Sequence, residues 1–272
     1  MIKHMITWDI YPPFAAGAVI LWTAGAAAAF RKKEGCCQLS LWLTAAGIIV
    51  YTLFVGGLWA SLSRPPLRTL GETRLWYSLF MIVSGWIVYI RWQYRWIQLF
   101  SLIVATVFIG INILKPDIHD QSLMPALQSA WFVPHVTVYI FSYSVFGCAF
   151  LLAVYGLWRH TDHYLSSADQ LVRIGMAFLT FGMLSGCIWA KQAWGSYWTW
   201  DPKETWAAAT WCAYLVYIHR RMGRAAATDS PTPYRQTCIS YIWLIAGFLL
   251  LQMCWYGVNL LPSASNSLHS YS

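Results

Sequence analysis

Residues 194–206 read WGSYWTWDPKETW, a stretch in which four of thirteen residues are tryptophan: Trp194, Trp198, Trp200 and Trp206. Apolar segments long enough to cross a membrane lie on either side of it. Interfacial aromatic residues anchor helix ends at the lipid headgroups, but a scattered few are sufficient for that purpose. The density of tryptophan here instead predicts a flat aromatic surface for a large planar ligand, with interface anchoring as the alternative.

The composition requires a bilayer as the solvent. Hydrophobic residues make up 58% of the 272 residues and charged residues 10%, whereas a soluble domain carries about 25% charged residues. The net charge of +8 comes from Lys and Arg in short loops between apolar runs, so we exclude a basic face for nucleic acid. We predict an all-α polytopic membrane protein in contact with membrane lipid, folded as a single transmembrane helical domain over residues 1–272.

Eight segments meet the ~20 apolar residues that a membrane-spanning helix needs. They cover residues 11–30, 39–62, 75–91, 96–114, 134–158, 172–192, 203–219 and 237–260. The seventh has the lowest apolar content, and we expect its helix to begin inside the tryptophan-rich stretch (residues 194–206). The predicted fold is therefore a bundle of these eight helices with an external loop rich in tryptophan.

Positive charge sets the orientation, because Lys and Arg accumulate in cytoplasmic loops. The tightest clusters, at residues 31–33 and 220–221, fall in one set of loops, which we place in the cytoplasm. By parity of the spans, both termini and the tryptophan-rich stretch then face the periplasmic or external side of a multi-pass inner (plasma) membrane protein.

Asp201, Pro202 and Glu204 form a helix-start signal inside the stretch. Asp is a favoured N-cap, Pro suits the first helical position, and Glu three residues after the cap completes a capping-box pattern. These residues predict the start of the seventh helix. That role leaves the preceding tryptophans unexplained.

The whole string resembles the tryptophan-rich WWD signature of haem-handling proteins in cytochrome c maturation. This signature marks the CcsA (ResC) proteins of system II and the CcmC and CcmF proteins of system I. The resemblance to the CcsA family extends over approximately residues 50–272. It implies haem b as the ligand, and it assigns the four tryptophans and Asp201 to the haem-binding surface.

Two histidines are placed where they could ligate haem iron, for which imidazole is a common axial ligand. His135 follows Pro134 at the outer start of the fifth span, and His269 lies in the tail after the eighth. Taken alone, His135 is either a ligand or a polar residue at a helix start, and His269 alone is better explained as an ordinary tail residue. Both together, on the side of the tryptophan-rich stretch, would give bis-imidazole ligation.

In CcsA-like proteins two external histidines flank the signature and ligate haem. His135, followed by Tyr139 and Tyr143, resembles the upstream one. His269 resembles the downstream one, in an ending similar to the family's GVNLL…HSY. Residues 262–268 form a longer connection than is usual in the family, so the sequence departs from the pattern there.

His219 lies in YIHRR at the cytoplasmic end of the seventh span, 18 residues after Asp201, or ~27 Å along a helix. By residue type it is either an interfacial histidine among arginines or a functional ligand. The string resembles the YxHxR motif that carries the intramembrane haem ligand of CcsA proteins and is missing from CcmC. The resemblance implies coordination of haem iron by His219 together with a histidine from a CcsB (ResB) protein.

Other polar groups carry weaker signals. His160 and His163 have His-x-x-His spacing, but with no further ligand nearby in the sequence we interpret them as a solvated loop. His4 and His119 are assigned no function. The seven cysteines include no Cys-x-x-Cys pair, so the chain is not itself a c-type haem carrier.

The outer loop at residues 63–74 holds an acid among arginines. It resembles the CcsA segment R-x-P-L-x-N-x-x-E, with Leu70 near the position of the expected Asn. Either Arg64, Arg68 or Arg74 pairs with haem propionates there, or the loop is an ordinary charged one.

The resemblance implies a subunit of a CcsB–CcsA cytochrome c synthase of the haem lyase type. Such a subunit binds haem, presents it on the external face and supports its covalent attachment to apocytochrome c. Its partners would be a CcsB-like membrane protein and an apocytochrome c with a Cys-x-x-Cys-His motif. Whether this chain is itself an enzyme, and which residues would be catalytic, stays open. The alternatives are a CcmC-like haem exporter or chaperone, and a scaffold or transporter whose tryptophans are anchors.

Overall fold

The computed structural model describes residues 6–31, 35–119, 127, 129–225 and 234–262. Over these ranges all regular secondary structure is helical, which confirms the predicted all-α class. Eight long helices are described there: α1 (Tyr11–Phe30), α2 (Cys36–Leu62), α3 (Leu70–Trp92), α4 (Arg95–Leu114), α5 (Phe132–Trp158), α6 (Leu165–Trp194), α7 (Pro202–Ala225) and α8 (Tyr234–Trp255).

Seven of the described helices are long and apolar enough to cross a membrane, so the chain is a polytopic membrane protein. The eighth, α7, has 24 residues, or a length of ~36 Å. Charged residues occupy both of its ends, and tryptophan, tyrosine and threonine interrupt its apolar run. That α7 crosses the bilayer therefore stays a prediction, because segment 203–219 has the lowest apolar content of the eight.

Two helices begin well before the apolar segments that predicted them. α3 starts at Leu70 and α6 at Leu165, whereas the apolar segments start at residues 75 and 172. For α3 the cause is a capping box, in which the Thr69 hydroxyl accepts from the Glu72 N–H at 3.1 Å and the Glu72 carboxylate accepts from the Thr69 N–H at 3.3 Å. Capping residues determine where a helix begins, whereas an apolar run identifies only the part of the helix that suits the hydrocarbon core of a membrane.

The chain clusters into two compact units, residues 1–127 and 128–272. In the first unit α1 packs against α2 and α4, and α3 packs against α4. Its core is strongly aromatic, with Tyr11, Tyr51 and Phe54 buried and the two tyrosine hydroxyls 3.0 Å apart. That residues 1–272 act as one transmembrane domain stays a prediction.

His119 has a packing role in the first unit. Its ring stacks on Trp8 with centroids 3.7 Å apart and an interplanar angle of 5°. Gly71 lies directly against the same ring, where a side chain would collide with it. That His119 has no further function stays a prediction.

In the second unit α5 packs antiparallel on α6, and α8 packs on both α5 and α7. Glycines on α6 allow the close approach to α5, as small residues do between membrane helices. Gly182 faces Tyr139, and Gly186 faces His135. Because both pairs are spaced by four residues, one face of each helix meets the other, and this face carries the first candidate ligand.

Candidate functional site

Gly195 ends α6 in the left-handed conformation, with φ +83° and its N–H donating to the Lys191 carbonyl at 3.1 Å. A glycine in this conformation is the usual end of a helix. The Lys191 ammonium donates to the Gly195 carbonyl at 2.8 Å and lies 5.4 Å from the Tyr197 ring centroid. The chain thus leaves α6 at a fixed angle, immediately after Trp194.

The predicted helix-start signal is formed at α7. The Asp201 carboxylate accepts from the Lys203 N–H at 2.9 Å, and Glu204 accepts from the Asp201 N–H at 3.2 Å. Glu204 also accepts from the Thr199 N–H at 2.8 Å, so it holds the loop backbone as well as the cap. Both carboxylates are buried. Capping therefore accounts for Asp201, and a direct contact of Asp201 with haem stays a prediction.

The tryptophans of the stretch do not form one flat surface. The Trp198 and Trp200 rings meet at 86°, with centroids 5.7 Å apart, in the edge-to-face geometry that is one of the two favoured for aromatic pairs. Trp194 pairs with Trp189 instead, at 4.7 Å and 64°. Trp206 is half-buried in the first turns of α7. The predicted single aromatic shelf is thus replaced by two tilted pairs.

Trp200 is the most outward of these side chains, with 69% of its surface exposed. Its backbone has φ +58°, a left-handed conformation that is strained for a residue with a side chain. The Thr205 hydroxyl donates to the Trp200 carbonyl at 3.2 Å and helps to hold this conformation. Beside it, the indole Nε1 of Trp198 is buried without a hydrogen-bond partner among the described residues. An exposed ring on a strained backbone, next to a buried donor without a described partner, is typical of a binding site rather than of packing.

His135 lies half-buried in the first turn of α5. Its Nδ1 is 2.8 Å from the Gly182 carbonyl oxygen. Because a carbonyl only accepts, Nδ1 carries the proton, and in the neutral ring Nε2 then carries the lone pair. Histidines that bind metals commonly have this arrangement, with the other nitrogen donating to a carbonyl.

Trp189 is a site residue that the sequence interpretation missed. It is 1% exposed and stacks on the His135 ring, with centroids 5.4 Å apart and an angle of 23°. Since it also touches Trp194, it joins the histidine to the tryptophan-rich stretch. The sequence contains part of the signal: Gly182, Gly186 and Trp189 are spaced by four and three residues, which places them on one face of α6, but the spacing does not identify α5 as the neighbour of that face.

His219 is exposed on α7, and the structure does not bring it to His135. Its Nδ1 is 2.9 Å from the Leu215 carbonyl of its own helix, so Nε2 again carries the lone pair. It lies 18 residues along α7 from the capping Asp201, or ~27 Å away. His269, the other predicted external ligand, lies outside the described residues.

The histidine pair in the loop after α5 contacts tyrosines. His160 Nδ1 lies 3.1 Å from the Tyr234 hydroxyl, and the His163 ring packs edge-on against Tyr164. In the part of the chain that the structure describes, no group of three His, Cys, Asp or Glu is placed to hold a metal ion.

Of the three candidate arginines in the first unit, Arg64 forms an ion pair with Glu72. Arg64 donates to it through both guanidinium ends, at 2.8 and 2.9 Å, and the Arg68 N–H donates at 2.6 Å. Desolvation and the neighbouring Arg64 charge lower the pKa of Arg68. Arg64 is thus committed to the protein, and a role of Arg68 or Arg74 towards propionates stays a prediction.

Comparison with known proteins identifies the family. The model of the family described as "Cytochrome C assembly protein" matches residues 68–265. The "Cytochrome c biogenesis protein CcsA" of Chlamydomonas reinhardtii is 40% identical over 182 residues, which is 62% of this chain and 48% of that protein. The CcsA protein of Cuscuta reflexa is 30% identical over 269 residues, or 83% of either chain. That of Oenothera argillicola is 29% identical over 282 residues, covering 83% of this chain and 85% of the relative.

A solved structure shares the fold. "Cytochrome c Heme Lyase CcmF" superposes with a TM-score of 0.66 at 16% identity, over 95% of this chain and 50% of that one. The matched part is about half the length of CcmF and of the Chlamydomonas protein, and most of the length of the plant relatives. The family match covers well over half of the chain and includes the tryptophan-rich stretch together with His135 and His219. This chain belongs to the cytochrome c assembly family and, within it, to the CcsA proteins.

Proposed function

We propose that this protein acts in cytochrome c biogenesis by binding haem beside the tryptophan-rich stretch and presenting it for covalent attachment to apocytochrome c. The observation that carries the proposal is the His135 site. Its imidazole is stacked on a buried tryptophan, oriented by a backbone carbonyl and joined through rings to Trp194. An imidazole that is held by a backbone carbonyl and a stacked indole, and joined through rings to the tryptophan-rich stretch, suits a planar metal macrocycle.

The residues that are present fit haem as a substrate. His135 would supply one axial nitrogen to the iron, and His269 would supply the other. Trp198 and Trp200 would pack on the macrocycle, with the buried Trp198 Nε1 as a donor for an oxygen at its edge. Haem b is the form we propose, because thioether formation with Cys-x-x-Cys-His consumes its two vinyl groups.

The protein contributes orientation rather than bond-making groups. Thioether formation uses the haem vinyls and the cysteines of the apocytochrome. Holding one haem edge towards the apocytochrome raises the effective concentration of the reacting groups. We therefore assign this chain as the haem-handling subunit of a synthase, with its catalytic residues unassigned.

A second haem position would lie at His219 and would need a partner. The first four predicted spans contain no histidine, so the other axial ligand within the membrane would come from a second protein. We propose a CcsB-like membrane protein for this role. In this arrangement the arginine-rich loops face the cytoplasm, and the tryptophan-rich stretch and both termini face the external side.

Absorption spectra of the full chain, co-expressed with its CcsB-like partner and purified in detergent, test the proposal. We expect a low-spin haem spectrum that sharpens on reduction with dithionite and weakens in His135→Ala. His160→Ala, which removes a loop histidine bonded to Tyr234, is the matched control and should retain the spectrum. A colourless wild-type protein from cells with ample haem would overturn the proposal.

His219→Ala separates a synthase subunit from an exporter or chaperone. A protein that only delivers haem from its external site has no need of His219. We therefore expect His219→Ala to lower both total haem and covalent attachment to a Cys-x-x-Cys-His substrate. Full attachment activity in this variant would favour external delivery alone.

A further inference from the structure

Asp169 on α6 holds two residues of α7 that flank His219 in sequence. The Tyr217 hydroxyl donates to Asp169 Oδ1 at 2.5 Å. The Arg221 guanidinium donates to the same carboxylate through Nε, at 2.9 Å, and through Nη2, at 2.7 Å. Bidentate Arg–carboxylate pairs are geometrically specific, so this contact fixes orientation as well as distance.

The helix geometry places His219 on the side of α7 opposite to this network. Tyr217 and Arg221 are four residues apart and share one face. His219 lies midway between them, and at about 100° per residue it is turned by about 180° from that face. The exposure of His219 and the burial of Tyr217 agree with this placement.

Other contacts of α7 lie further from the histidine. The Trp211 indole donates to the Thr180 hydroxyl at 2.9 Å, eight residues before His219. Tyr214 packs against Gly247 of α8, where an added Cβ would lie 3.0 Å from its ring. These contacts fix the middle of α7, whereas Asp169 fixes the turns that carry His219.

Arg221 is committed to the protein rather than presented to a ligand. Its Nε and Nη2 both donate to Asp169, and both side chains of the pair are only about one-fifth exposed, at 21% and 20%. Tyr217 is fully engaged through its hydroxyl. The network therefore acts on His219 through the helix.

We propose that Asp169 is a positioning residue, which sets the rotation of the last turns of α7 and so aims His219 outward for ligation with a partner protein. This inference rests on the proposed function, in which His219 is an intramembrane haem ligand. Side-chain atoms lie about 5–6 Å from a helix axis, so a rotation of about 20° displaces the imidazole by about 2 Å. A coordinating nitrogen tolerates only about 0.5 Å of displacement.

The test uses the complex with the CcsB-like partner in a His135→Ala background, where haem at His219 dominates the spectrum. His219→Ala first identifies that signal. Asp169→Asn removes the charge with little change in shape, and Asp162→Asn removes an exposed carboxylate of the neighbouring loop as the matched control. The readouts are haem per protein, the low-spin fraction and its recovery with added imidazole.

We expect Asp169→Asn to lower haem retention about tenfold, as loss of a supporting partner of a ligand does. The remaining haem should be high-spin, and imidazole should return it to low-spin, an effect that a general loss of folding would not show. Asp169→Glu should recover part of the low-spin fraction. Asp162→Asn should match the parent.

The outcomes separate the two claims. An unchanged spectrum in His219→Ala would contradict the intramembrane site itself. Loss of the signal in His219→Ala, together with a parental spectrum in Asp169→Asn, would overturn the positioning role and leave the proposed function standing. If Asp169→Asn does not accumulate, Arg221→Lys decides: it keeps the positive charge but loses the bidentate contact with Asp169, and a parental low-spin fraction in it would overturn the proposal.

Discussion

Two candidate haem ligands of the second unit, His135 and His219, share one structural feature and differ in their other surroundings. In both, Nδ1 is bonded to a backbone carbonyl, so Nε2 carries the lone pair. His135 is enclosed by glycines of α6 and stacked on a buried tryptophan. His219 is exposed, and an ion pair to α6 holds the opposite side of its helix.

If both histidines ligate haem as proposed, the difference means that their geometry is set in two ways. The surroundings of His135 are built by this chain, so its geometry is set before a ligand arrives. The surroundings of His219 are open, which suits a ligand position that a second protein completes. Variants that affect one histidine and spare the other therefore test the comparison directly.

The largest loss of external haem is expected for Gly186→Ala, in which an added methyl group collides with the His135 ring. The new Cβ would lie 2.6 Å from His135 Nδ1, so the ring must move and lose its bond to Gly182. Overpacking of this kind costs about 1–3 kcal/mol. External haem should fall as far as in His135→Ala, while haem at His219 persists, as measured by absorption in each single-site background.

Gly223→Ala is the matched control for this variant, because a Cβ there meets nothing within 4 Å. It should keep both haem signals and the unfolding midpoint in detergent. Normal external haem in Gly186→Ala would contradict the idea that glycines of α6 set the position of His135.

A smaller effect is expected for Trp189→Phe, which keeps an aromatic ring beside His135 but leaves a gap. Large-to-small changes in a core are destabilising, here by about 1–2 kcal/mol. We expect a lower unfolding midpoint and a shifted midpoint potential of the external haem, with an unchanged potential at His219. Spectroelectrochemical titration measures both potentials, and equal shifts at both sites would remove the distinction between the two regions.

Trp200→Ala should separate binding from stability. Trp200 and Trp158 are each 69% exposed, which makes Trp158→Ala a matched control at another position. Substitution of exposed residues changes stability by about 0.5 kcal/mol or less. In Trp200→Ala, the loss of an aromatic contact with haem worth about 1 kcal/mol should weaken external haem retention several-fold. Trp158→Ala should leave haem retention unchanged. Equal haem retention in the two variants would favour a simple interface anchor.

The smallest effect concerns Asp201, for which the cap and the ligand contact make different predictions. Asn caps a helix as well as Asp does, whereas Ala costs about 1 kcal/mol. If the cap is the main role, Asp201→Asn should keep stability and external haem, and Asp201→Ala should lower the unfolding midpoint. Equal loss of haem in both variants, with the midpoint unchanged in Asp201→Asn, would instead assign the carboxylate charge to the ligand.

Local signals in the sequence were sufficient for the helices and for the start of α7. The apolar runs predicted the helices, and Asp201 with Glu204 predicted the cap that the structure contains. Helix starts at Leu70 and Leu165 were placed too late, because polar first turns do not appear in hydropathy. The high frequency of tryptophan in residues 194–206 identified Trp194 and Trp206 as candidates, but it did not predict what their side chains pack against.

The contacts between helices could not be predicted in the same way. Trp189 and the glycines of α6 matter because α5 packs on that face, and Asp169 matters because it meets α7 about 50 residues later in the chain, as its bonds to Tyr217 and Arg221 show. Edge-to-face packing likewise turned the expected flat surface into tilted ring pairs. Such facts depend on which helices are neighbours, and no single segment contains that information.

The most direct test of the His135 site is the reduced spectrum of His135→Gly with and without added imidazole, beside the wild type, in a His219→Ala background. We expect a low-spin external haem in the parent, a high-spin or depleted haem in His135→Gly, and recovery of the low-spin form with imidazole. A parental low-spin spectrum in His135→Gly without imidazole would contradict ligation by His135.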